Sequence, residues 1–193
     1  FQDKFEVVAS DWSSAGKNPY FLLEPGYALT LEGKEAGEEV RLVITVLDET
    51  KMVDGVETRI VEERESSAGV LVEVSRNYFA ISKKDGSLYY FGEEVDNYEG
   101  GKIANHGGSW LSGIKGARFG LWLPGKPSVG QRYYEEFAPG EALDRAQVKS
   151  LTAVYDTPAG KFSNCLELEE TSGLKKSEKE SKFFAPGVGP VMD

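Results

Sequence analysis

The chain has 193 residues, 40% of them hydrophobic and 28% charged. That length suits a single domain, able to bury roughly 70% of its unfolded surface without a metal or disulfide staple. Twenty-two Lys and Arg against 32 Asp and Glu leave a formal net charge of −10, which disfavours nucleic acid and anionic membrane surfaces as partners, because both need clustered cations. The lone cysteine, Cys165, excludes an intrachain disulfide and a thiolate zinc cluster. It sits in the alternating stretch Phe162-Ser-Asn-Cys-Leu-Glu-Leu and reads as a buried structural thiol. No uncharged apolar run approaches the ~20 residues that span a bilayer. The first residue is Phe1, so the lack of a leader carries no information about compartment.

Residues 1–17 are polar and mixed and read as an irregular N-terminal arm; Asn18-Pro19 then opens one β domain, 18–193. Tyr27, Leu29 and Leu31 alternate with polar or small residues, as in a strand with one face inward. Val40 to Leu47 is nearly all apolar and β-branched, which predicts a strand buried on both faces. Asp54-Gly55 is a two-residue hairpin signal between Lys51-Met-Val and Val56-Glu-Thr-Arg-Ile-Val. Glu62-Glu-Arg-Glu65 reads as a solvated strand end. After the turn Ser66-Ser-Ala-Gly69 comes a long strand, 70–82, and Asp85-Gly86 predicts a second hairpin into Ser87-Leu-Tyr-Tyr-Phe91.

Residues 92–130 form a Gly-rich excursion, of the kind that is often functional. Strand chemistry resumes at Tyr133-Tyr134 and Phe137, and again over Gln147 to Tyr155 and Asn164 to Glu170. Lys175 to Lys182 is a charged stretch, and the many Lys and Glu residues of the late strands look like edge protection, which weighs against self-assembly. The one helix candidate is Gly140 to Val148. These patterns predict an all-β chain with a minor α component. A strongly curved antiparallel sheet would form an open or partial β-barrel, with the excursion across its mouth. The acidic surface belongs to the first hundred residues, with 10 Lys and Arg against 21 Asp and Glu; the rest holds 12 against 11.

Several chemistries have no residues to carry them. His106 is the only histidine, which removes paired-His metal motifs. There is no P-loop and no dinucleotide fingerprint, and Gly107-Gly-Ser-Trp-Leu111 misses the nucleophile elbow, so a Ser109/His106 hydrolase lacks a third member. Three constellations remain. The acidic loop Glu93 to Gly101 suggests Glu94, Asp96 and Glu99 as calcium ligands, although EF-hand spacing fails and a solvated acidic turn explains the same residues. Ten of the 22 aromatics lie between positions 89 and 137. Tyr90, Trp110, Trp122 and Tyr134 are therefore candidates to hold an apolar ligand, with plain core packing as the competing reading. In Asn105-His106-Gly-Gly-Ser-Trp110 the glycines leave the imidazole accessible, as a binding group or as an ordinary hydrogen-bonded loop residue.

Two segments carry a resemblance. They are the ending Thr157-Pro-Ala-Gly-Lys-Phe162, Asn164-Cys-Leu and Phe183-Phe-Ala-Pro-Gly-Val-Gly-Pro-Val191, and the opening Asn18-Pro-Tyr-Phe-Leu-Leu-Glu-Pro-Gly-Tyr27. This pattern resembles uncharacterised bacterial secreted β-rich domains that curl into half-barrels, akin to lipoprotein-carrier and lipocalin-like folds. The resemblance covers about a quarter of the chain. It implies that fold and an extracytoplasmic setting, periplasmic or secreted, and no catalytic residues. Pro190 departs from the pattern and predicts that the last strand ends early. The expectation is a non-enzymatic extracytoplasmic binding or assembly domain holding a small apolar ligand or a protein partner. A carbohydrate-binding or calcium-stabilised surface module is the alternative.

Overall fold

The computed structural model describes residues 1–193 apart from Lys176, Glu178 and Asp193, so part of the charged stretch 175–182 lies outside the described residues. Strand accounts for 67% of the chain. A single 3₁₀ turn, Ala9–Asp11, precedes the strands. The N-terminal half runs β1 (Trp12–Ser13), β2 (Gly16–Asn18), β3 (Phe21–Leu23), β4 (Ala28–Glu35), β5 (Glu38–Val53), β6 (Val56–Ser67), β7 (Val70–Ser82) and β8 (Leu88–Glu99). Short strands follow: β9 (Lys102–Asn105), β10 (Trp110–Leu111), β11 (Arg118–Leu123), β12 (Arg132–Tyr134) and β13 (Glu136–Phe137). The chain closes with β14 (Asp144–Thr157), β15 (Gly160–Ser172), β16 (Lys179–Ala185) and β17 (Gly189–Met192).

The larger sheet has the order β13-β11-β8-β7-β6-β5-β4, with β1 added to β7 and both β9 and β10 added to β8. A second sheet, β12-β14-β15-β16-β17, and the hairpin β2-β3 complete the fold. The antiparallel sheet curls through 219° into a half-barrel. Its strands are long and interrupted by bulges, which add local twist. Pairing of β5 with β6 shifts between Val46 and Thr50, and pairing of β7 with β8 shifts between Asn77 and Phe79. Core residues of the half-barrel, among them Val46, Val61, Phe79 and Leu88, pack with Val148, Leu166, Leu168 and Phe184 of the second sheet. The ends of the chain meet as well. Tyr27 donates to the Val188 carbonyl at 2.8 Å, and the Gly187 amide donates to the Pro19 carbonyl at 2.8 Å.

The Asp54-Gly55 hairpin forms as expected, with φ of 50° and 77°, the left-handed pair of a type I′ turn. Ala36-Gly37 and Ala68-Gly69 adopt the same geometry, with φ of 49° and 94° and of 48° and 77°, although alanine lacks the side-chain hydrogen bonds that ease Asn or Asp into this region. Asp85-Gly86 connects its strands by a wider loop: Ser82 donates to the Ser87 carbonyl at 2.8 Å, and the Asp85 carboxylate accepts from the Ser87 amide at 3.0 Å.

Four expectations need correction. No α-helix occurs among the described residues, and Gly140 to Val148 is a turn running into β14, because alternate residues Ala146 and Val148 are drawn into the sheet core. The arm is irregular only over its first residues. Trp12 and Ser13 pair with Ser82 and Ile81, and Phe5, Val7 and Trp12 pack on the core. The Gly-rich excursion is no lid, since it supplies the end of β8 and all of β9, β10 and β11. Pro190 does not stop β17, which continues to Met192; at the sheet edge the missing proline N–H costs no ladder bond.

Candidate functional site

The interior face of the half-barrel changes character along its strands. Residues two apart share a face, so the face that carries Val61 on β6 and Phe79 on β7 also carries Glu63, and Asn77, Ser75 and Glu73. On β8, Tyr90 and Glu93 are three residues apart and would point to opposite faces of a regular strand. The bulge, in which Asn77 faces Glu93 and Phe79 faces Tyr90, turns both inward. Gly92 lies within that bulge at φ 130°, and a Cβ there would meet the Trp110 carbonyl oxygen at 2.3 Å. The glycine thus lets β10 lie directly on β8 and sets the Trp110 side chain beside Glu93.

The second sheet answers with Asp144 from β14, Glu170 from β15 and Lys182 from β16. Glu135 occupies the bend between β12 and β13, so both it and the next residue, Glu136, reach the interior. Another close approach sets them in place. A Cβ on Gly120 would stand 2.3 Å from the Glu135 carbonyl oxygen and 2.7 Å from that of Tyr134. Together these residues line a half-open cavity of about 190 Å³, bordered on its aromatic side by Phe79, Tyr90 and Trp122. Seven carboxylates line it against one ammonium, that of Lys182, which pairs with Glu170 at 3.1 Å.

Hydrogen bonding inside the cavity is incomplete. The Tyr90 hydroxyl donates to Asn77 Oδ1 at 2.6 Å, and Asn77 Nδ2 donates to Ser75 Oγ at 3.2 Å. Glu135 and Glu136 are 4% and 8% exposed, yet Glu135 Oε1 and Glu136 Oε2 have no hydrogen-bond partner among the described residues. The Trp110 indole N–H faces the Glu93 and Glu136 carboxylates without closing a well-formed hydrogen bond. Buried polar atoms are almost always satisfied, so three open ones at a single place set this part of the fold apart from the packed core.

Burial and crowding push these acids upward. Glu93 is raised to about 7, chiefly by burial and then by Glu73 and Asp144, against the Tyr90 and Trp110 donors. Burial holds Glu135 well above the carboxylate range, with Glu170 adding to it and Lys182 opposing it. Glu136 is raised likewise, by burial and then by Glu93 and Asp144. Glu73 rises through burial and the charge of Glu65. Burial and mutual repulsion thus favour the neutral form of these acids.

Of the four aromatics expected to hold ligand, Tyr90 and Trp122 line the cavity. Trp110 is 6% exposed and packs edge-on to Tyr90 at 5.4 Å, contributing its N–H rather than a ring face. Tyr134 does not line the cavity; its ring packs with Phe1 and Phe137. The calcium ligands suggested at Glu94, Asp96 and Glu99 do not converge. Glu94 meets Lys51 at 2.6 Å and accepts from the Tyr78 hydroxyl, which hold its carboxyl below the usual range. Asp96 meets Arg76 at 3.3 Å and His106 at 2.9 Å, and Glu99 is exposed beside the β8–β9 turn. Among the described residues no group of three His, Cys, Asp or Glu is arranged to hold a metal ion. His106 is exposed and bonded to the Val95 carbonyl and Asp96, while Ser109 Oγ accepts from the Val95 amide, so both are engaged by β8. Cys165 is buried, and burial raises its thiol.

No protein-family model matches this chain, and neither a curated protein nor a solved structure matches it. The inward carboxylates escaped the sequence reading. Glu63 was legible in principle, because it shares the period-two face of the buried Val61. Glu93 was not, because its direction depends on a bulge.

Proposed function

We propose that the protein is a binding module that holds a small cationic ligand in the cavity between its two sheets. The observation that carries this reading is the pair of buried carboxyl oxygens on Glu135 and Glu136 that find no donor among the described residues. A buried carboxyl oxygen left without a donor costs about 1–3 kcal/mol, and a cation bringing N–H donors or charge would offset it. The expectation of a binding domain is kept in this proposal, as is an extracytoplasmic setting. The ligand chemistry changes from apolar to cationic, since carboxylates dominate the lining. A glycan-stacking role has less support, because Trp110 offers no exposed face.

The test is thermal denaturation at pH 8 with a panel of cations (calcium, magnesium, potassium, mono- and diamines), comparing wild type with Glu135→Gln/Glu136→Gln. Saturable stabilisation of the wild type by at least one cation, lost in the double variant, is expected. Stabilisation by none, or by all equally in both proteins, would overturn the proposal.

A further inference from the structure

Resting on that cation-site reading, we infer that the ligand is a protonated organic diamine or polyamine rather than a bare metal ion. Three independent features point this way.

The first is size. A volume of about 190 Å³ is roughly six times the ~30 Å³ share of one water, far more than a desolvated metal ion fills. The second is ligand geometry. The carboxylates are spread over both sheets, and no three acidic or imidazole groups among the described residues meet as a metal site requires. Separate carboxylates suit a ligand with more than one charged end. The third is the wall opposite them. Phe79 stacks on Tyr90 at 4.8 Å and packs against Trp122 at 4.6 Å, and all three border the pocket beside the acids. Aromatic faces attract ammonium groups and accept a methylene chain equally well.

The open oxygens narrow the class further. Glu135 Oε1 and Glu136 Oε2 need hydrogen-bond donors. A primary ammonium brings three N–H donors, whereas a quaternary ammonium brings none. Lys182 already shows the same interaction within the cavity, its ammonium 3.1 Å from Glu170.

The decisive experiment is isothermal titration calorimetry at pH 8 with 1,4-diaminobutane, tetramethylammonium and calcium as probes. It uses the full chain, Glu136→Gln and Trp122→Leu. The expected result is one diamine per chain, with tetramethylammonium weaker. Glu136→Gln should weaken the diamine by roughly 10- to 100-fold, the loss of one charge-assisted hydrogen bond. Glu93→Gln serves as a second variant should Glu136→Gln fail to melt cooperatively. Tetramethylammonium binding as tightly as the diamine, or diamine binding untouched by the carboxylate and Trp122 variants, would overturn the inference. Calcium binding that depends on Glu136, with no diamine binding, would overturn the inference and leave the cation site standing. Binding of neither calcium nor the diamine would overturn the inference, and with no stabilisation by any cation of the panel above it would remove both.

Discussion

Glu93 offers the sharpest quantitative test. In the unfolded chain its carboxyl titrates near 4.5, and in the folded protein near 7. Between those values the folded state holds a proton that the unfolded chain has released, so stability is greatest at or below pH 4.5 and falls as pH rises toward 7. The difference corresponds to about 3 kcal/mol. About 2.5 kcal/mol of this falls between pH 5 and 8, and for a domain of this length each kcal/mol moves the melting temperature by about 2–4 °C, so ligand-free protein should melt roughly 5–10 °C lower at pH 8 than at pH 5. Glu135 and Glu136 are raised as well and push in the same direction. Glu94 and Glu169, lowered by Lys51 and Lys179, act oppositely, but only as pH falls below the ordinary carboxylate range. Glu93→Gln keeps the shape and removes the charge. It should raise the melting temperature at pH 8 and flatten the slope by the Glu93 share. Differential scanning calorimetry from pH 5 to 8, in buffers free of amines and divalent ions, reads both. A melting temperature that is level or rises over that range, or an unchanged slope in Glu93→Gln, would refute the buried-acid argument.

Two further predictions test the scaffold. Gly120→Ala places a Cβ against the Glu135 carbonyl and should cost about 3 kcal/mol in urea denaturation, because the obstacle is backbone and cannot rotate away. Ala68→Asn replaces a left-handed alanine at φ 48° with a residue that tolerates that region, and should stabilise by about 0.5–1 kcal/mol in the same assay.

The site shows a conflict between local rules and its surroundings. Acidic residues on a strand ordinarily mark its solvent face, yet Glu63, Glu93 and Glu136 all line the interior. Lys182 pairs with Glu170, whereas Glu135 Oε1 and Glu136 Oε2 find no partner among the described residues. Departures of this kind concentrate at functional places. The aromatic concentration between positions 89 and 137 is mostly core packing, as Phe91 on Phe119 at 4.8 Å shows. Only Tyr90 and Trp122 of the four candidates turn a surface to the cavity.

The sequence by itself determined the class of fold. Alternation along β4, β7 and β15 and the Asp54-Gly55 turn specify antiparallel strands, because side-chain direction in a strand depends only on parity and a type I′ turn only on its two residues. Glu62 to Glu65 read as a solvated strand end, although parity counted from the buried Val61 reaches Glu63 on the same face. Tertiary structure alone decided where the acids meet. A bulge reverses parity between Tyr90 and Glu93, a bend brings the neighbours Glu135 and Glu136 to one side, and Glu170 arrives from a second sheet. Bulges, bends and sheet apposition are settled by contacts between residues dozens of positions apart, such as Gly120 against Glu135 and Gly92 against Trp110. No local pattern encodes them, so a cavity of carboxylates could hide within strands that read as ordinary acidic surface.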